Sequence, residues 1–316
     1  MSINPLTRLL RLAIVLSVGC AAGFAQTAPC PPAGENNGFL GIQTIRLWPG
    51  DAPQAKGKAC QDIPTLTIFE PAYGMSNGST VIVMPGGSYK NLASIHEGRE
   101  FADWFTAHGF RACILQYRLS SNGYLLPVPL LDARRAIQLV RARALDYHID
   151  PNRIGVIGFS AGGHLAALAS VQPVPGNLDA DDPIERVSSR PNFLMLAYPW
   201  IGAISSDTSH LSYCKEFNLM DQCEALRAAY SPDLFVTKET PPTFWFHTTD
   251  DPLVPVEQGL RFYEALIKAG VPAEAHLFTH GPHGVGLGRG DAALDQWPQL
   301  LETWLRAQGF MGPLQR

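Results

Sequence analysis

Two hydrophobic rhythms alternate along the chain. Short apolar runs recur at Thr80–Met84, Phe110–Leu115, Ile154–Ile157, Phe193–Ala197 and Phe244–Phe246. Thr65–Ile68 alternates polar and apolar residues, and Ala275–Phe278 closes the series. Runs with no polar side fit strands covered on both faces. Between them the period lengthens. After Asp132, the residues Ala133, Ala136, Ile137, Val140 and Ala144 form one helical stripe. Leu260, Tyr263 and Ile267 mark another helix, ended by Gly270, and Leu294, Trp297, Leu301 and Leu305 a closing one. Helices are also expected over 97–107 and 161–170. This alternation predicts an α/β fold, a mainly parallel sheet with helices on both faces. A Pro-rich leader precedes the first strand, and 171–240 reads as an excursion above the sheet. No linker divides residues 26–316, which read as a single domain.

Composition narrows the partners. The 316 residues are 46% hydrophobic and 16% charged, with 24 basic and 28 acidic side chains. A formal charge of −4 and a pI near 6.1 leave no basic footprint for nucleic acid. A chain this long buries a full core without a structural metal.

The first 25 residues read as an export signal. Arg8 and Arg11 precede a short apolar core, Leu12–Val18, and Gly23-Phe24-Ala25 places small residues before a cut at Gln26. The apolar run is too short to span a bilayer, which takes ~20 residues. A lipoprotein signal would use Cys20, but Ser17 stands where such signals carry Leu. A secreted or periplasmic protein with no membrane segment in its mature form is expected. In that compartment Cys113, inside an apolar strand, stays a buried thiol. Proximity favours the pairs Cys30–Cys60 and Cys214–Cys223, with unpaired thiols as the alternative.

One turn carries candidate chemistry. The strand 154–157 runs into Gly158-Phe159-Ser160-Ala161-Gly162-Gly163-His164 and then a helix. This G-x-S-x-G pattern would arise by chance ~0.1 times in a chain of this length, and its strand-to-helix setting lifts it well above that. Such a turn exposes a serine hydroxyl above the sheet and accepts only small residues at Gly158 and Gly162. A base and its orienting acid should follow in the order Ser, acid, His. Asp250 and Asp251 follow the strand 244–246, and His280 and His283 lie beyond the last strand. Asp251 and His283 are preferred, with Asp250 as a turn residue and His280 fixed by the strand end. His164 points back along its own helix. Gly87 and Ser88, after Met84-Pro85-Gly86, and the N–H of Ala161 are candidate oxyanion donors. Glu97 reads as a solvated helix start, with contact to a sugar as the alternative. Asp132 reads as a helix cap or a partner of Arg118. His276, His280 and His283 match no zinc spacing, so no metal and no cofactor is expected.

These motifs, with Leu47-Trp48-Pro49-Gly50, His96-Glu97-Gly98, Tyr117-Arg118-Leu119, Asp251-Pro252 and His283-Gly284, run through nearly the whole mature chain. In combination they resemble the secreted α/β-hydrolase esterases related to bacterial acetyl-xylan and feruloyl esterases. The resemblance implies Ser160 as nucleophile, Asp251 as acid and His283 as base. It also implies a serine esterase that removes acetyl or other small acyl groups from polysaccharide or oligosaccharide, and a monomer is expected. A short-chain lipid or xenobiotic carboxylesterase is the rival. A peptidase would want a gating domain, and a silent binding protein a broken triad. Ser88 departs from relatives that carry a third glycine. Ser88 and Tyr89 are expected to crowd the acyl side, and Tyr198 and Trp200 to add aromatic surface at the sheet edge.

Overall fold

The computed structural model describes Cys30, residues 42–204 and residues 213–312. The expected export signal, 1–25, lies outside the described residues. Eight strands form one sheet: β1 (Ile42–Arg46), β2 (Thr65–Phe69), β3 (Thr80–Met84), β4 (Arg111–Gln116), β5 (Ile154–Phe159), β6 (Phe193–Ala197), β7 (Thr243–Thr248) and β8 (Ala273–Phe278). Their order is β1-β2-β4-β3-β5-β6-β7-β8. β2 runs antiparallel to both of its neighbours, and the rest of the sheet, from β4 to β8, is parallel.

The period-2 alternation of each strand feeds two cores. In β3, Ile82 and Met84 face one side while Val81 and Val83 face the other. The first core is covered by α2 (Val128–Ala142), α3 (Ser160–Val171) and α6 (Val256–Lys268). The second is covered by α1 (Glu100–Ala107) and α7 (Trp297–Ala307), where Trp297 stacks on Phe246 at 4.7 Å. The expected sheet covered on both faces is therefore present.

Three details differ from expectation. β1 lies in what reads as leader sequence; as an edge strand it buries only Ile45 fully, so its pattern is faint. The expected helix at 97 begins instead as a π-turn, Ser94–Arg99, and becomes α-helical at Glu100. α2 starts at Val128, with Pro129 in its first turn, so Asp132 sits inside the helix rather than capping it. There it is the partner of Arg118: Nη2 donates to Oδ1 at 2.7 Å and the Arg118 N–H to Oδ2 at 2.9 Å, with both side chains buried. Burial pushes the Asp132 carboxyl up to about 6, against the pull of Arg118.

The excursion contributes a 3₁₀ turn (Pro183–Arg186), a short helix α4 (Tyr213–Glu216) and the helix α5 (Cys223–Tyr230). Both expected disulfides are formed, Cys30–Cys60 and Cys214–Cys223, and Cys113 is a buried free thiol. At the far edge of the sheet, β8 exposes Glu274, which pairs with His276 at 2.7 Å.

Candidate active site

Parallel strands bring their C-terminal ends to one edge, and loops from that edge meet there. β5 turns directly into α3 at Ser160, whose φ is +50°. That region is costly for serine, of order 1–3 kcal/mol. The strain is held because the turn is packed from both sides. A side-chain carbon at Gly162 would lie 2.1 Å from the Met84 carbonyl oxygen, and one at Gly158 2.3 Å from the Gly162 carbonyl oxygen. Only glycine fits at either position.

His283 arrives from the loop after β8. Its Nδ1 donates to Asp251 Oδ2 at 2.7 Å, which leaves Nε2 to accept the Ser160 hydroxyl at 2.8 Å. Asp251, beyond β7, is anchored by Oδ1, which accepts the N–H groups of Leu253 and Val254 at 2.8 and 2.9 Å. Burial raises its pKa, but bonds from His247, His283 and Val254 outweigh that and hold the carboxyl well below the usual range. The serine, base and acid singled out from the sequence thus meet in one hydrogen-bonded relay. Asp250 and His280 do not reach it. They pair with each other at the surface, Nδ1 donating to Oδ2 at 2.8 Å, and Gly281 N–H also donates to Asp250.

The loop after β3 lies against the serine. A side-chain carbon at Gly86 would sit 2.9 Å from Ser160 Cβ. Gly87, Ser88 and Tyr89 follow with φ of +128°, +55° and +61°. Among the described residues, the N–H groups of Gly87, Ser88 and Ala161 find no acceptor. Tyr89 does not crowd an acyl chain. Its ring is fully buried, and its hydroxyl donates to His164 Nδ1 at 2.7 Å while His164 Nε2 donates to the Tyr230 carbonyl at 2.9 Å. Burial pushes the His164 pKa down to about 4. Tyr198 and Trp200 are likewise buried, at 2% and 1% exposure, and offer no aromatic platform.

Of two buried polar residues at this edge, sequence reasoning misses His247 and misplaces Glu97, which it reads as a solvated helix start. His247 Nε2 donates to the Val254 carbonyl at 3.0 Å and lies 3.3 Å from Asp251 Oδ2. Glu97 is 3% exposed and faces the loops rather than solvent. No pattern in the sequence marks the burial of either one, because it depends on chain crossings far away.

A parallel sheet covered on both faces, with a strained serine after its central strand and a histidine and an aspartate supplied from later strand ends, defines an α/β-hydrolase. Within that class the chain belongs to the BD-FAE family, whose model matches residues 66–266. It is 33% identical to an acetylxylan esterase of Xylanibacter ruminicola over 235 residues, 73% of this chain and 46% of that protein. It is 30% identical to endo-1,4-beta-xylanase B of Butyrivibrio fibrisolvens, over 65% of this chain and 32% of that one. The chain thus spans less than half the length of these curated relatives. Among solved structures, an acetyl ester-xyloside bifunctional hydrolase from Caldicellulosiruptor lactoaceticus superposes with a TM-score of 0.75 at 38% identity, covering 85% of this chain and 97% of that one. A propionate-bound esterase from Thermogutta terrifontis gives 0.70 at 27% identity, over 86% and 96%.

Proposed function

We propose that this chain is a serine carboxylic-ester hydrolase that removes acetyl or other small acyl groups from polysaccharide or oligosaccharide. The observation that carries it is the relay Ser160–His283–Asp251, closed by hydrogen bonds of 2.8 and 2.7 Å. Ser160 Oγ attacks the ester carbonyl as His283 Nε2 takes its proton. Asp251 holds the imidazole in the Nδ1–H tautomer and stabilises the imidazolium. The free N–H groups of Gly87, Ser88 and Ala161 receive the developing oxyanion. His283 then protonates the leaving alcohol, and water repeats the cycle on the acyl-enzyme. Each step is filled by groups on this chain, without a metal or cofactor.

The carbohydrate part of the reading draws on the relatives named for xylan and acetyl esters. Export of residues 26–316 as one domain, to the periplasm or the medium, draws on the N-terminal pattern and on the two disulfides. The test is acetate release from acetylated xylan by the wild type and by Ser160→Ala, alongside aryl esters of two to eight carbons. Acetate release is expected, with kcat/KM highest for acetyl and a loss of ~10⁴ or more in the variant. A steady rise in kcat/KM to eight carbons, at up to ~0.8 kcal/mol per buried methylene, without acetate release from xylan, would assign the chain to lipid-type carboxylesterases instead.

A further inference from the structure

The two loops that flank Ser160 come from different crossings, β3 to α1 and β8 to α7. Among the described residues no hydrogen bond joins residues 85–89 directly to 281–288. They are joined through Glu97. Its Oε2 accepts the Gly86 N–H at 2.7 Å, and its Oε1 accepts the Tyr198 hydroxyl at 3.1 Å. The Tyr198 oxygen in turn accepts the Gly286 N–H at 3.1 Å. The Tyr198 ring meets the His283 imidazole edge-on, with centroids 5.1 Å apart. Nothing separates the carboxyl from the first loop, since a side-chain carbon at Gly86 would lie 2.8 Å from Oε2.

Tyr198 is committed to this contact. Its φ is +39°, unfavourable for a tyrosine, and its N–H is fixed on the Phe246 carbonyl at 2.7 Å. Two other groups face the carboxyl. His96 Nε2 lies 3.8 Å from Oε1, and the Tyr117 hydroxyl, which donates to the Pro85 carbonyl, senses its charge. Burial pushes the Glu97 pKa up, while the Gly86 N–H, His96, Tyr198 and His283 draw it back. On its other sides, His283 meets Asp251 and Ser160.

We propose that Glu97 is a positioning residue, a buried carboxylate that sets the distance between the Gly86–Ser88 loop and the His283 loop and places negative charge behind the imidazole. The proposal rests on the esterase reading of Ser160, His283 and Asp251. Glu97→Gln keeps an acceptor for Gly86 but presents an amide N–H₂ to the Tyr198 hydroxyl, and it removes the charge. Tyr198→Phe breaks the same chain of bonds at its other link.

The experiment measures 4-nitrophenyl acetate hydrolysis from pH 5 to 9 by the full chain, with Ser160→Ala beside it and thermal unfolding as the folding check. Glu97→Gln should lower kcat roughly 10- to 100-fold with KM nearly unchanged. Its acid limb in kcat/KM should move to lower pH, because losing a nearby anion favours neutral imidazole. Tyr198→Phe should lower kcat without that displacement, and the double variant should be little worse than the poorer single one. Should Glu97→Gln not fold, Tyr198→Phe and its KM-against-kcat split carry the test. Unchanged kcat in the folded variants, additive losses, or an unmoved acid limb in Glu97→Gln overturns the proposal while Ser160→Ala is inactive. Full activity in Ser160→Ala overturns the esterase reading, and the proposal with it.

Discussion

Adjacent aspartates and histidines three positions apart give this chain two carboxylate–imidazole pairs, and only one ends at a serine. Both pairs have short bonds, 2.7 Å for Asp251–His283 and 2.8 Å for Asp250–His280. The outer pair is exposed, where water and salt screen its charges. Asp250→Asn and His280→Ala should therefore leave kcat within about threefold. Asp251→Asn and His283→Ala should each lower it by ~10⁴, as read from initial rates on an acetyl ester. His247 adds a prediction of its own. His247→Phe keeps a ring but removes the donor to the Val254 carbonyl and the polar atom 3.3 Å from the buried Asp251 carboxylate, so kcat should fall roughly tenfold with the fold intact. The relay was legible in the sequence because each member sits next to a strand end that its own neighbours announce. Glu97 and His247 were not, because a polar side chain's burial is set by segments that close over it from elsewhere.

At the scale of elements, long periodic segments were readable and short ones were not. β3, β5 and β6 are dense apolar runs that need both faces covered, so their neighbours could be inferred as helices. β1 covers an edge and buries one residue fully, which leaves too little pattern to distinguish it from a leader. The turn at 94–99 has π geometry with Glu97 buried on it, and helical spacing does not report that. The ion pair on α2 gives this scale its test. Asp132 and Arg118 are both sealed, at 0% and 1% side-chain exposure. Removing one partner strands the other charge, so Asp132→Ala should lower unfolding free energy by ~3–5 kcal/mol in urea titrations. Triad geometry is untouched, so activity below the shifted midpoint should persist.

For the whole molecule, His164 links acidity to stability. Its ring is held neutral between Tyr89 and the Tyr230 carbonyl, with its pKa lowered to about 4. The unfolded chain takes up this proton below ~6.5. The contribution is therefore complete above that pH and is lost as pH falls through 6.5 toward 4, up to about 3 kcal/mol. Asp251, held low in the fold, adds its own loss only below the ordinary carboxylate range, ~4, so the two windows separate. Asp132, raised to about 6, works in the opposite sense over the same window in both proteins, so between pH 7 and 4.5 the denaturant midpoint of the wild type should fall relative to that of His164→Gln, whatever that variant's stability at pH 7.

The pairing of Glu274 with His276 on β8 bears on how the protein behaves in a crowd. A sheet whose last strand shows unsatisfied backbone groups is a template for another copy's strand. Polar side chains along that strand penalise such docking, because a second edge would strip water from the Glu274 carboxylate and its partner. Replacing both residues with valine would turn the rim into an adhesive β-strand. Light scattering at rising concentration should then report growing assemblies, while the hydrolytic rate per folded molecule stays the same. Colloidal behaviour would thus be controlled at one margin of the sheet, independently of catalysis.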